Sequence, residues 1–325
     1  MKAVYFKDQS VSLVERPVPR IPEGEALIRV AMAGICNTDI ELFRGYYGFE
    51  GIAGHEFVGV VEKAPAKPEL EGKRVVGEIN CGCGKCPRCL SGDPRHCPNR
   101  TTLGIKGRDG VFAEYTTLPL ENLLLVGDTL KDEQAVFTEL LAAALEVSRQ
   151  VHITNNMKTA VLGDGKLGIL CSVGLRHFNS QILLIGKHEE KLSIARNQGV
   201  RTFQVESSKD AKRVVEEFGQ FDLVVEITGR PDGIGMALEM VRPEGTVVAK
   251  TTSHKPSEID LAKVVVDEIS IVGSRCGDFA LAISFLENGW VDVLPMIEEI
   301  YSFSEFEKAF FRAMQPGAKK VLVRF

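Results

Sequence analysis

The sequence predicts an α/β protein of two domains: a doubly wound parallel sheet, and a second, mostly antiparallel β domain. Three observations carry this. From about residue 139 onward, six short apolar runs alternate with helix-like stretches. Before that point, short β-type runs are broken at intervals by Gly and Pro. The 325 residues also exceed what a single hydrophobic core ordinarily serves.

In the first third, 26–30, 56–61 and 73–77 read as strands, with Pro65, Pro68, Pro87, Pro94 and Pro98 in the loops between. The stretch 139–150 reads as one helix, because Leu140, Leu141, Ala144, Leu145 and Val147 supply its apolar positions. Strands then follow at 159–162, 182–185, 202–205, 223–227, 246–250 and 269–272, with helices such as 191–198 and 210–218 between them. Strands joined through helices pair in parallel and are covered on both faces. After Gly277 come helices over 279–286 and 303–314 and a last strand over 320–325. This tail is expected to return to the β domain, which then takes 1–138 and 277–325, leaving 139–276 to the parallel sheet.

Bulk properties narrow the function. The net charge of −5 arises from interspersed residues, and no basic stripe offers a footprint for nucleic acid. No run of about 18 apolar residues predicts a membrane-spanning helix. The amino terminus, Met1-Lys2-Ala3-Val4-Tyr5, carries no secretory h-region. A cytoplasmic protein with a small-molecule partner is the expectation. Of eight cysteines, five crowd into 81–97, which in such a protein points to metal before disulfides.

Gly163-Asp164-Gly165-Lys166-Leu167-Gly168 follows the first strand of the alternation and opens a helix. Glycines there permit a tight turn and bring backbone N–H groups, with the positive helix end, toward a pyrophosphate. At the first turn of six alternating strands the motif indicates a dinucleotide; alone it would be a tight turn. The second strand usually ends in an acid that holds the ribose 2′-hydroxyl of NAD. Here it ends in Gly186-Lys187-His188, with Lys191 close by. Gly would leave room for a 2′-phosphate, Lys187 would pair with it and His188 could donate hydrogen bonds, so the sequence favours NADP over NAD. The bland alternative is a solvated loop indifferent to the cofactor.

Cys83, Cys86, Cys89 and Cys97 stand at spacings that close a tetrahedral shell of four thiolates, a structural zinc site with no open position. Cys81 reads as a bystander, with its replacing Cys83 as the alternative. Cys171 and Cys276 read as small core residues in helix and strand. Separately, Cys36-Asn37-Thr38-Asp39 and Gly54-His55-Glu56 offer thiolate, imidazole and carboxylate, the mixed set that a catalytic zinc uses. Singly, Cys36 and His55 would be buried core residues.

These motifs resemble the zinc-containing medium-chain dehydrogenase/reductase family, which includes alcohol, sorbitol, threonine and glucose dehydrogenases. The resemblance spans essentially the whole chain. It rests on Gly34-Ile35-Cys36-Asn37-Thr38-Asp39, Gly54-His55-Glu56-Phe57-Val58-Gly59, the four-cysteine lobe and the nucleotide turn. Val272-Gly273-Ser274-Arg275 and Lys319-Lys320-Val321-Leu322-Val323 fit as well. It implies a Rossmann coenzyme domain with a GroES-like catalytic domain, two zincs per chain and hydride transfer between an alcohol (secondary alcohol, polyol or sugar) and the nicotinamide cofactor.

Carried over by position, Cys36 and His55 would hold the catalytic zinc. Either Glu56 or Glu139 would add a carboxylate, Glu139 matching the sorbitol-dehydrogenase-like pattern. Thr38 would accept the alcohol proton. Many relatives place a histidine five residues after the first zinc cysteine to relay that proton; this chain has Glu41. Thr228, Ser274 and Arg275 would lie near the cofactor. By family analogy the chain would be a homodimer or homotetramer. Alternatives are an NADPH-dependent carbonyl reductase and a catalytically silent dinucleotide-binding zinc protein.

Overall fold

The β-rich first third forms nine strands in the computed structural model, which describes residues 1–252 and 255–325. They are β1 (Lys2–Lys7), β2 (Ser10–Glu15), β3 (Glu25–Gly34), β4 (Glu56–Lys63), β5 (Arg74–Gly77), β6 (Asn80–Cys81), β7 (Thr101–Thr102), β8 (Tyr115–Pro119) and β9 (Leu123–Leu125). Helices α1 (Asn37–Phe43), α2 (Pro87–Leu90) and α3 (Asp132–Ala135) lie among and after them. The stretch expected as one helix is two, α4 (Thr138–Leu145) and α5 (Val147–Gln150), parted at Glu146.

Strand and helix then alternate: β10 (Thr159–Leu162), α6 (Lys166–Leu175), β11 (Ile182–Gly186), α7 (Glu189–Arg196), β12 (Arg201–Gln204) and α8 (Ala211–Phe218). The run continues through β13 (Phe221–Glu226), α9 (Gly233–Met240), β14 (Val241–Ala249), α10 (Leu261–Val266) and β15 (Ser270–Gly273). The tail adds α11 (Phe279–Glu287), β16 (Ile297–Ser302), α12 (Phe306–Ala313) and β17 (Lys320–Arg324). Strand β16 went unread in the sequence because Glu298-Glu299 breaks its alternation; only pairing with β17 makes it a strand. Cys276 lies just after β15 rather than within a strand, while Cys171 is buried inside α6 as expected.

Met1–Glu139, Ala282–Asn288 and Val293–Phe325 make one unit. Its main sheet has the order β16-β17-β3-β4-β5-β9, with β8 also on β3. The ten-residue β3 is the hub, and its register sets Gly34 opposite both Glu56 of β4 and Leu322 of β17. That register, rather than proximity in sequence, assembles the site described below. Phe6 anchors a buried aromatic group, 5.1 Å from Phe310 edge-on and 6.1 Å from Phe112. Half-buried Phe43 joins it at 5.2 Å from Phe310 and Phe49 at 6.4 Å from Phe6, whereas Tyr47 is exposed.

Leu140–Leu281 and Gly289–Asp292 make the other unit. Its six strands run β12-β11-β10-β13-β14-β15, all parallel. Counted within the sheet this is the order 3-2-1-4-5-6 of a doubly wound fold. Strands β10 and β11 are buried at every residue, as a sheet covered on both faces requires. Ile185, Val224, Val247 and Met240 are among the side chains that fill its core. Because all strands point one way, the ends of β10, β11, β13, β14 and β15 share one edge. Gly163, Lys187, Thr228, Lys250 and Ser274 follow along it. Among the described residues no helix is long and apolar enough to cross a membrane.

Candidate active site

Cys36 caps α1 from the loop after β3, and its backbone N–H donates to Asp39 Oδ2 at 2.8 Å. His55 immediately precedes β4, and Glu56 begins it. The β3–β4 pairing thus brings the three together: one donor atom from each lies within 4.8 Å of the others. Asp39 Oδ1 stands 3.2 Å from His55 Nδ1, with both side chains buried. A carboxylate behind a histidine fixes the ring and raises its basicity as a ligand. The sequence reading assigned Asp39 no role, although its spacing from Cys36 is that of a helix-capping residue.

The pocket is rich in acids. Burial pushes the Glu139 carboxyl up to about 7; His55 draws it back, and Glu56 pushes it further. Burial disfavours a charged His55, but Asp39 and Cys36 outweigh it and hold the imidazole well above its ordinary value. Buried Lys320 pairs with Glu56, and Phe137 lies under its ammonium at 5.9 Å. A thiol and carboxyls crowded out of water need a cation beside them to ionise together, and with the imidazole as a neutral donor this set suits zinc. Glu139, in the first turn of α4, interacts with the charges of His55, Glu56 and Lys320 but is outside the tight three-residue group. Thr38 places its hydroxyl 3.8 Å from Cys36 Sγ. Glu41 accepts a hydrogen bond from Arg44 at 2.9 Å, so Arg44 forms an ion pair on α1.

The four sulfurs of Cys83, Cys86, Cys89 and Cys97 also lie mutually within 4.8 Å. Cys86 Sγ is 3.6 Å from Cys89 Sγ and 3.7 Å from Cys97 Sγ. Thiolates around one tetrahedral zinc stand about 3.8 Å apart, since Zn–S is about 2.3 Å; a disulfide would need about 2 Å. Backbone N–H groups of Lys85 and Cys86 hold the Cys83 thiol down to about 6, whereas desolvation and the Cys86 sulfur push Cys89 up to about 11. The set therefore fits a metal. Cys81 points elsewhere: it is buried near the Ile79 carbonyl and Asn122, and burial pushes it up to about 11.

In the other unit the glycine-rich turn joins β10 to α6. Gly163 has φ of +122°, and a Cβ on Gly168 would stand 1.8 Å from the Gly163 carbonyl oxygen. Nothing lies within 4 Å of a Cβ built on Gly165, which leaves open space before Lys166 and Leu167 at the helix start. Lys250 donates to Ser274 Oγ at 2.8 Å, and Thr228 Oγ donates to Glu226 at 2.6 Å, so both hydroxyls are tied to their strand ends. Arg275 and Lys187 are exposed, and Lys191 lies in the first turn of α7.

The end of β11 differs from the expectation. Gly186 does not leave a vacant space: a Cβ there would stand 2.3 Å from Asp164 Cβ and 2.6 Å from Asp164 Oδ2. Asp164 Oδ2 accepts the backbone N–H groups of Lys187 at 2.7 Å and His188 at 2.6 Å, and lies 3.0 Å from His188 Nδ1. The room expected beside Gly186 is thus occupied by a carboxylate from the neighbouring turn.

Known proteins share this architecture. Family models described as "Alcohol dehydrogenase GroES-like domain" and "Zinc-binding dehydrogenase" match residues 22–128 and 167–297. An L-threonine 3-dehydrogenase of Streptomyces coelicolor is 29% identical, over 96% of this chain and 95% of its own. The rspB alcohol dehydrogenase of E. coli CFT073, complexed with NADH, superposes with a TM-score of 0.92 at 26% identity, over 100% of this chain and 99% of that one. A zinc-binding dehydrogenase of Sinorhizobium meliloti 1021, bound to NADP, gives 0.90 at 27%, with the same two coverages. With both halves matched and relatives aligned end to end, the chain belongs to the zinc-dependent medium-chain dehydrogenase/reductase family, as an oxidoreductase of the alcohol-dehydrogenase type.

Proposed function

We propose that this protein transfers a hydride between an alcohol (a secondary alcohol, polyol or sugar) and a nicotinamide dinucleotide, using one catalytic and one structural zinc per chain. The observation that carries this is the buried group of Cys36, His55 and Glu56, with Glu139 beside it. Cys36 and His55 would hold the catalytic metal with one of the two glutamates, and Cys83, Cys86, Cys89 and Cys97 the structural one. Zinc, when bound, supplies Lewis acidity that favours the alkoxide form of an alcohol. Thr38 would take the alcohol proton on its hydroxyl, and Glu41, held by Arg44, would pass a proton toward solvent. The glycine-rich turn from Gly163 to Gly168 would bind the pyrophosphate of the cofactor that accepts the hydride. At the end of β11 the cations Lys187 and Lys191, with His188 as a hydrogen-bond donor, favour NADP, while the Asp164 carboxylate favours NAD.

The chain would assemble into a homodimer or homotetramer. In support, β15 forms an edge of the six-stranded sheet, and Leu261, Val265 and Val266 of α10 and Ile271 of β15 are exposed. An apolar sheet edge of this kind invites pairing with another strand.

The test is absorbance at the reduced-nicotinamide band, with pooled alcohols, polyols and aldoses against NAD and NADP, alongside zinc analysis. Turnover with about two zincs per chain is expected. Silence in both directions, with aldehydes and ketones also tried against reduced cofactor and only about one zinc bound, would leave a silent dinucleotide-binding protein instead.

A further inference from the structure

We infer that Asp164, a residue of the glycine-rich turn, is the group that reads the adenosine ribose and that it makes the enzyme select NAD. The inference rests on the dinucleotide reading above. In a doubly wound sheet the cofactor choice is made at the end of the second strand, where a carboxylate accepts the ribose 2′-hydroxyl and repels a 2′-phosphate. The parallel pairing of β10 with β11 sets Leu162 beside Ile185, so the turns that follow both strands are neighbours. Gly163-Asp164 can then reach over Gly186. It does so at a distance that no side chain on residue 186 would tolerate.

The carboxylate is built in rather than loosely placed. Its Oδ2 is fixed by the backbone N–H groups of Lys187 and His188, and the Asp164 side chain is 11% exposed. Its Oδ1 has no hydrogen-bond partner among the described residues, which leaves a charged acceptor for a hydroxyl at the strand edge. His188, read from the sequence as a further donor to a 2′-phosphate, has its Nδ1 turned to this carboxylate. A phosphate dianion entering here would meet the charge of the Asp164 carboxylate. The acid that sequence reading seeks at the end of β11 has thus moved to the other turn, and glycine at 186 is the mark it leaves.

The test is direct binding to the zinc-loaded protein, followed by nicotinamide fluorescence, which needs no substrate. Wild-type protein should bind NADH about tenfold or more tighter than NADPH. Asp164→Asn keeps an oxygen for the two backbone N–H groups and removes the charge, so it should narrow that ratio by about tenfold. NADH lacking the adenosine 2′-hydroxyl should bind wild-type protein about tenfold more weakly, a result independent of any variant's folding. Equal or tighter binding of NADPH, an unchanged ratio in a folded D164N protein, or full affinity for the deoxy cofactor each overturns the inference alone. A folded protein that binds neither cofactor overturns it together with the proposed function.

Discussion

Glu56 and Lys320 form a sealed ion pair, 0% and 1% exposed, between residues 264 positions apart. Glu56 opens β4 and Lys320 opens β17, and the pair crosses over Gly34 of the intervening β3. A Cβ at Gly34 would stand 2.5 Å from Glu56 Oε2 and 3.5 Å from Lys320 Cδ. The backbone is bare at that point because two buried charges meet above it. Burial alone would lower the Lys320 ammonium, but Glu56 and Cys36 outweigh it and keep it charged.

Removing one partner leaves a buried charge unanswered, so Lys320→Met should destabilise the protein by about 3 kcal/mol or more in urea unfolding. Lys320→Arg, which restores a cation, should recover part of this. A loss under about 1 kcal/mol for Lys320→Met would mean that the pair does not hold Glu56 in place.

The Glu139 carboxyl, pushed up to about 7 by burial, keeps its proton in the folded, metal-stripped protein at pH values where the unfolded chain has lost it. Its contribution is therefore absent at low pH and becomes a cost as pH rises from about 4.5 through 7. His55, also raised, acts in the same direction. Stripped wild-type protein should lose several degrees of Tm between pH 5 and 8. Glu139→Gln should lose less, and zinc should reverse the trend, since ligands bind metal deprotonated. Parallel Tm profiles for wild type and variant would disprove the assignment.

Cys97 is fully buried, and its sulfur accepts the Cys83 backbone N–H at 3.4 Å. Cys97→Ser should reduce zinc from about two to about one per chain and lower Tm. NADH affinity should stay within about twofold, because the glycine-rich turn belongs to the other unit. Retention of both metals would remove Cys97 from the ligand set.

At the sheet edge, charges on the apolar face should oppose assembly. Val266→Asp with Ile271→Lys should shift light-scattering mass from a multiple of the chain to that of one chain. A wild-type protein already monomeric at micromolar concentration would end the oligomer proposal.

The sequence by itself determined the two textures of the chain, the parallel sheet, the glycine-rich turn and the four-cysteine set. These are legible because period, turn chemistry and ligand spacing are local properties that neighbouring residues carry together. The gaps were equally physical. One helix became two at Glu146, and β16 was hidden by its paired glutamates. Tertiary structure alone decided what depends on register between distant strands. Lys320 has no local mark that it belongs to Glu56; only β17 and β4 flanking β3 bring them together. Asp164 looked like a spacer within a glycine motif and Gly186 like a missing acid. Parallel pairing of β10 with β11 put the carboxylate of one into the space left by the other. A strand's side chains can be listed from sequence, but which neighbour fills the gap beside a glycine depends on the register of the sheet.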